Sequence, residues 1–400
     1  MDIDLYDPEV FERGVPHDVF RKLRAEHPVY FHTREAPGGP GYWIITRYQD
    51  VVRIERDTGV FSSWKGGTNI QDYGPEDMDV IRYLMINMDP PQHLKFRKLV
   101  RDGFAPRLIA AMEPRIREIC RGIVDRIAKT GKCDFVKDLS AELPLQVIVE
   151  MLGVPQEERH RVFDWSNRLI GFDDPEFQTS LEDGKIAAAE MWMYANELAE
   201  KRKGDGKDLV SLLMRSEVDG ERLSEMEFDS FFLLLSVAGN ETTRNLLSGG
   251  MLALLEHPAE LARLKADPGL MPTAVDEMLR WVTPVMYFRR TATQDVELRG
   301  QLIKEGQKIA MYYPSANRDE AIFAHADRFD VGRTPNEHLA FGVGEHFCLG
   351  STLARLEIKI FFEELLSRLH DIEQTAPVRR LRSNFINGIK QMPVRFKPEA

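Results

Sequence analysis

One uninterrupted helical pattern, from Ser224 to His257, constrains this chain more than any other feature. Ser224 stands where an N-cap is needed. S-E-M-E, Ser224 to Glu227, has the form of a capping box, in which serine and glutamate side chains satisfy each other's free backbone N–H groups. Pro258 stops the pattern, because proline lacks the N–H that a continuing helix uses. The stretch of about 33 residues spans roughly 50 Å at 1.5 Å per residue. Its middle, Phe231–Ala238, is apolar on every side, which places it inside a core. Phe231–Gly239 is also the longest strongly apolar run, far short of the roughly 20 residues of a membrane span.

A helix of this kind needs a large body around it, and 400 residues supply one. Hydrophobic residues at 43% and charged residues at 29% fit a soluble globular chain and argue against disorder. The net charge, 53 − 64 = −11, argues against nucleic-acid binding by bulk electrostatics. The start, M-D-I-D-L-Y-D-P-E, lacks the basic end and apolar run of a signal peptide. Cys120, Cys133 and Cys348 are an odd set at irregular spacing, which fits a reducing cytoplasm rather than a disulfide framework. No repeat, linker or composition shift divides the chain, so one domain over residues 1–400 is expected.

The remaining elements follow from periodicity and punctuation. Pro28–His32 and Tyr42–Thr46 read as strands, Tyr48–Asp57 as a helix, and Thr58–Pro91 as a long connection. From Gln92 onward helical spacing dominates: Pro106–Ala128, Leu143–Leu152, Glu157–Ile170, Leu181–Lys203, Leu209–Ser216, Met271–Val282 and Gly350–His370. Val285–Gln307 reads as short strands turning at Gly300 and Gly306. Pro314–Glu345 is weakly periodic, and Asn387-Gly388 marks a hairpin in the tail. The fold class is mainly α with a minor β part.

The chemistry concentrates in F-G-V-G-E-H-F-C-L-G-S-T-L-A-R, Phe341–Arg355. Cys348 sits in a glycine-punctuated loop before a helix, where free backbone N–H groups and the helix dipole favour a thiolate. Gly342, Gly344 and Gly350 allow tight turns and close approach to a large planar group. A buried structural cysteine and a zinc ligand are the alternatives, although no second ligand motif for zinc occurs. A dinucleotide loop is excluded, because Phe347 stands where the third glycine is required.

This segment resembles the cysteine-ligand loop of the cytochrome P-450 haem-thiolate monooxygenases, whose F-G-x-G-x-H-x-C-x-G pattern is complete here. Two further motifs match in order: E-M-L-R, with Glu277 and Arg280, and A-G-N-E-T-T, Ala238–Thr243, in the long helix. The resemblance implies the P-450 fold, with that helix over haem b and Cys348 as the axial iron ligand. It assigns Thr242 to stabilising bound dioxygen and Glu241 to delivering protons. Thr242 is further expected to bond back to the Ala238 carbonyl, opening a polar notch. Phe341, Gly342, Gly350 and Ala238 would border the haem, with His93, Arg97, Arg290 and His346 at its propionates. Arg328 would join the Glu277–Arg280 pair.

The resemblance also implies two electrons from NAD(P)H, passed through a ferredoxin reductase and a [2Fe–2S] ferredoxin. Lys95–Arg126 holds nine basic and four acidic residues, and Lys98, Arg101 and Arg107 are expected to face that acidic partner. Ile70, Met85, Ile86, Val237, Val285, Met286 and Ile386 are expected to line an apolar substrate pocket. S-V-A-G-N-E-T-T-R-N, I-N-M-D-P-P-Q-H, S-A-N-R-D-E and L-R-S-N-F-I-N-G-I-K resemble bacterial sterol side-chain terminal hydroxylases and related lipid and terpene hydroxylases. Hydroxylation of an unactivated C–H on a sterol, isoprenoid or lipid chain is the expected activity. A peroxide-driven haem hydroxylase and a non-catalytic haem or lipid-binding protein are the rivals.

Overall fold

Several of the larger helices pack around the long helix. In the computed structural model, which describes residues 4–33, 40–178, 180–202 and 206–399, this helix runs Glu225–Glu256. Both halves of its capping box form: Glu227 N donates to Ser224 Oγ at 3.4 Å, and Ser224 N donates to Glu227 Oε2 at 2.8 Å. It packs against Glu142–Leu152, Met271–Val282, Leu181–Arg202 and Arg159–Ile170. Three glycines permit the close crossings. A Cβ on Gly239 would lie 2.8 Å from Ile148, one on Gly249 2.7 Å from Val282, and one on Gly250 3.0 Å from Met278. The Ser351–Arg368 helix, which follows the cysteine loop, packs on Glu113–Ile127 and Met271–Val282.

The β part is small and lies to one side. Five strands run in the spatial order Val29–His32, Tyr42–Ile45, Lys308–Tyr312, Tyr287–Ala292, Phe61–Ser62. All neighbours are antiparallel except Lys308–Tyr312 on Tyr42–Ile45, where Ala310 pairs with Ile44. This register sets Arg290 opposite Ile309 on a central strand. A three-stranded sheet joins His370–Gln374, Pro393–Lys397 and Lys132–Asp134. Among the described residues, no helix is long and apolar enough to cross a membrane.

Three expectations need correction, and one helix was not foreseen. Pro106–Ala128 is two helices, Pro106–Ala111 and Glu113–Ile127, because Pro114 fits only a helical first turn and so starts the second. The connection from Thr58 to Pro91 contains a strand, Phe61–Ser62, and a helix, Pro75–Ile81. A further helix, Pro258–Ala266, begins at the proline that ends the long one. Asn387-Gly388 is not a hairpin turn: the paired strands are Arg379–Arg380 and Ile389–Gln391, with a wide loop between them. There Asn387 Nδ2 instead donates to the Val282 carbonyl at 2.6 Å. The expected helix end at Lys203 lies outside the described residues.

Candidate active site around Cys348

Cys348 is half-buried at the end of a loop that two glycines bend. Gly342 and Gly344 take φ of +67° and +78°, which only glycine adopts without strain. Gly350 has an ordinary φ of −83° and caps the Ser351–Arg368 helix, so its role differs from a left-handed turn. A Cβ there would meet no protein atom within 4 Å. The Cys348 amide donates to the Phe341 carbonyl at 2.9 Å, closing the loop on itself. Burial pushes the thiol pKa up, while the Gly350 N–H, Arg97 and Arg355 pull it back.

Residues invisible to local pattern hold this loop from outside. The buried Glu55 carboxylate accepts from the Val343 amide and from the Tyr313 hydroxyl. The Arg355 guanidinium lies 4.6 Å from the Phe341 ring centroid and donates to Asp276 at 2.8 Å. His338 also meets Asp276, at 3.3 Å.

His93, Arg97, Arg290 and His346 are brought together. The two histidine rings are 4.0 Å apart. Burial, Arg97 and Arg290 push the His93 pKa down to about 4, and burial with the same arginines depresses His346. Arg97 donates to the Phe347 carbonyl. Arg290 bonds the Arg289 carbonyl at 2.9 Å, whereas Arg289 turns away to Asp72 at 2.7 Å. His93 Nδ1, Arg290 Nε and His346 Nε2 are buried with no hydrogen-bond partner among the described residues. Buried polar atoms of this kind require partners. Two histidines and two arginines converging beside a single sulfur fit a planar iron-binding group carrying carboxylates. The zinc alternative has no ligand set: among the described residues, no three His, Cys, Asp or Glu side chains gather as a metal site.

On the long helix, Ala238 is exposed although it lies at the centre of a buried element, so this point opens onto a cleft. Thr242 Oγ1 donates to the Ala238 carbonyl at 2.9 Å, as the sequence predicts. Glu241 is fully buried and ion-paired with Arg244, which also donates to Asn167 at 2.8 Å. Burial pushes the Glu241 carboxyl pKa up against the pull of Arg244. The sequence reading missed Arg244, three positions along the same helix, where ion pairs form readily.

Glu277 and Arg280 form a bidentate pair at 2.7 Å with neither side chain exposed. The arginine that joins them is Arg333, not Arg328. Arg333 Nε lies 3.0 and 3.2 Å from the Glu277 oxygens, and its remaining nitrogens bond the Ala324, His325 and Arg328 carbonyls. The Arg328 side chain is 62% exposed, 3.9 Å from Glu260. Only its backbone carbonyl takes part.

The proposed pocket residues divide. Ile86 and Val285 are half-exposed, and Val285 bridges Ile386 across the C-terminal loop. Met85 and Val237 are buried in the main core. Ile70 and Met286 belong to another cluster, with Phe20, Tyr287 and Tyr312, and expose almost no surface. Both pack against Tyr42, Ile44, Ala310 and Tyr312 of the five-stranded sheet.

Comparisons with known proteins bear on the family. Residues 269–396 match the Cytochrome P450 family model. The chain is 42% identical over 403 residues to a steroid C26-monooxygenase of Rhodococcus jostii, covering 98% of this chain and 84% of that protein. It is 43% identical over 385 residues to a methyl-branched lipid omega-hydroxylase of Mycobacterium tuberculosis, covering 94% and 90%. A Mycobacterium marinum cytochrome P450 solved with pseudoionone superposes with a TM-score of 0.92 at 39% identity, over 99% of both chains. With a sulfur donor on a glycine loop, an alcohol at the midpoint of the core helix and near full-length likeness to named monooxygenases, this chain belongs to the cytochrome P450 family and is a haem-dependent monooxygenase.

Proposed function

We propose that this monooxygenase, one domain over residues 1–400, hydroxylates the terminal C–H of a sterol side chain or isoprenoid-like chain. The likeness to a steroid C26-monooxygenase carries the substrate class, and the unpartnered nitrogens on His93, Arg290 and His346 beside Cys348 carry the haem site. Cys348 would hold haem b by its sulfur, and His93, Arg97, Arg290 and His346 would bind its propionates. Haem b, when bound, supplies dioxygen activation, and a thiolate ligand favours O–O cleavage by pushing electron density toward iron. The glycine loop keeps the sulfur close to N–H donors, which tune its charge. Thr242 presents a hydroxyl held in place by the Ala238 carbonyl. Glu241 passes a proton only after its carboxylate leaves Arg244. The half-exposed Ile86 and Val285 favour an apolar substrate.

Electrons would arrive from NAD(P)H through a ferredoxin reductase and a [2Fe–2S] ferredoxin. Lys98, Arg101 and Arg107 are exposed, with the apolar Leu94 and Leu108 exposed in the same segments and Phe347 exposed in the cysteine loop. Most of the other basic residues in the stretch are neutralised: Lys95 pairs with Asp219, and Arg115, Arg117, Arg121 and Arg126 pair with glutamates. A reducing cytoplasm suits the free thiols Cys120, Cys133 and Cys348.

The test is a ligand screen on the ferric holoprotein with surrogate redox partners. Cholestenone-class sterols should shift the spin state and be oxidised with NADH consumption. Turnover of a terpene alcohol without cholestenone binding overturns the substrate class. Hydroxylation with peroxide but not with NADH overturns the electron route. Cys348→Ser should abolish the reduced, carbon-monoxide-bound absorption of a thiolate haem, and its survival would remove the sulfur ligand.

A further inference from the structure

A cavity of about 260 Å³ lies away from the cysteine loop, between the C-terminal half of the long helix, the end of the Met271–Val282 helix and the C-terminal loop. Its apolar wall includes Leu252, Ala253 and Val282, and its polar wall is cationic: Arg318, Arg380 and His17.

Arg318 is 7% exposed. Its guanidinium stacks on the Trp281 ring at 3.7 Å, and Nη1 lies 3.8 Å from Asp327, beyond hydrogen-bond distance. Among the described residues the guanidinium donates no hydrogen bond, and its Nε is buried without a partner. A guanidinium has five N–H donors in a rigid fork, and leaving the buried one on Nε unmade is costly. Arg380 makes one long contact, 3.5 Å to Asn387 Oδ1. His17 Nδ1 is buried and unpartnered.

Among the described residues, the nearby carboxylates favour the two guanidiniums by charge but hydrogen-bond neither of them. Asp327 is held by Arg21 at 2.8 Å. Glu256, the one acid in the cavity wall, is exposed at the end of the long helix and favours the Arg380 charge without a hydrogen bond to it. Arg24 is satisfied by Glu320 and Ser315. Burial and the Arg280 guanidinium both disfavour the Arg318 charge, an effect that an anion would reverse. His17 also opens the ten-residue helix His17–Glu26, whose end adds positive potential.

We propose that this cavity binds a small oxyanion, phosphate or carboxylate, between the Arg318 and Arg380 guanidiniums, with His17 Nδ1 as a further donor. Paired guanidiniums suit this class because each offers two parallel N–H groups to two oxygens. The short apolar wall leaves room for a small organic body on the anion.

The experiment is thermal unfolding and calorimetric titration of the holoprotein with sodium phosphate, acetate and chloride at equal ionic strength. Phosphate or acetate should raise the unfolding temperature saturably while chloride does not, and the stronger of the two identifies the oxyanion. Arg380 is on a short, half-buried strand, so Arg380→Gln should fold and bind at least about tenfold more weakly, as expected for a lost charge-assisted contact. Arg318→Gln should abolish binding, but Asn317 beside it supports Arg280, so the Arg380 variant decides if that protein misfolds. Equal stabilisation by all three salts, or equal effects of phosphate and acetate on the wild type and Arg380→Gln, overturns the site.

Discussion

Thr242 bonds a backbone carbonyl within its own helix, and that contact separates two roles that the sequence leaves mixed. If the residue only loosened the helix, alanine would be neutral or stabilising, since threonine gives up roughly 0.5 kcal/mol of helix propensity to alanine. Thr242→Ala should therefore fold with an unchanged carbon-monoxide spectrum and an equal or higher unfolding temperature. If the hydroxyl serves oxygen chemistry, the same protein should release several-fold more hydrogen peroxide per NADH. Product formation still matching NADH would remove Thr242 from the proton path. The Glu277 cluster yields a second residue-level test. Arg333 is buried against a buried carboxylate, so Arg333→Ala should cost about 3–5 kcal/mol. Arg328→Ala should stay within about 0.5 kcal/mol, as exposed positions do. Urea midpoints and haem content of the two variants would settle which arginine matters. The sequence could not separate them, because both stand in an aperiodic loop where no spacing rule says which side chain turns inward. Glu55 was illegible for a related reason: its partner Val343 is 288 positions away, and local patterns carry no such pairing.

Elements were legible where their signals are local. The long helix has a capping box at one end and a proline stop at the other, and its bounds come from those residues. Glu277–Arg280 was legible because i,i+3 spacing on a helix already places the partners together. Registers and crossings were not, since they depend on which faces meet. Gly239 shows this at one crossing. In an ordinary helix interior, glycine to alanine gains about 1 kcal/mol. Here the new Cβ would lie 2.8 Å from Ile148 on the Glu142–Leu152 helix, and overpacking costs about 1–3 kcal/mol. Gly239→Ala should thus be destabilising by about 1 kcal/mol. In an Ile148→Ala background the clash is gone and the same change should stabilise by about 1 kcal/mol. A double-mutant cycle by denaturant unfolding reads the sign change. A gain in both backgrounds would mean that the glycine answers to something other than this crossing.

At the scale of the whole molecule the charge is −11, so the proposed acidic ferredoxin would approach against the mean field and would need a local basic region. Counting charges along Lys95–Arg126 overstated that region, because the later arginines are cancelled by glutamates from other elements. What remains outside is Lys98, Arg101 and Arg107, with the Arg101 guanidinium 3.5 Å from Asp102. Arg97 from the same helix points the other way, to the Phe347 carbonyl in the cysteine loop. The helix Gln92–Arg101 thereby connects a charged exterior to the loop that holds the sulfur. Charges of this kind act mainly on encounter, over a distance set by salt: the Debye length is about 10 Å at 0.1 M and about 3 Å at 1 M. Reduction by an acidic ferredoxin should therefore slow steeply as ionic strength rises. Replacing all three residues by glutamate should lower the second-order rate about 10- to 100-fold at low salt and much less at 1 M. The carbon-monoxide spectrum and sterol-induced spin shift should be untouched, since none of the three reaches the cysteine loop or the cleft. A rate indifferent to salt, or a triple variant as fast as the wild type at low salt, would move the docking face elsewhere on the molecule.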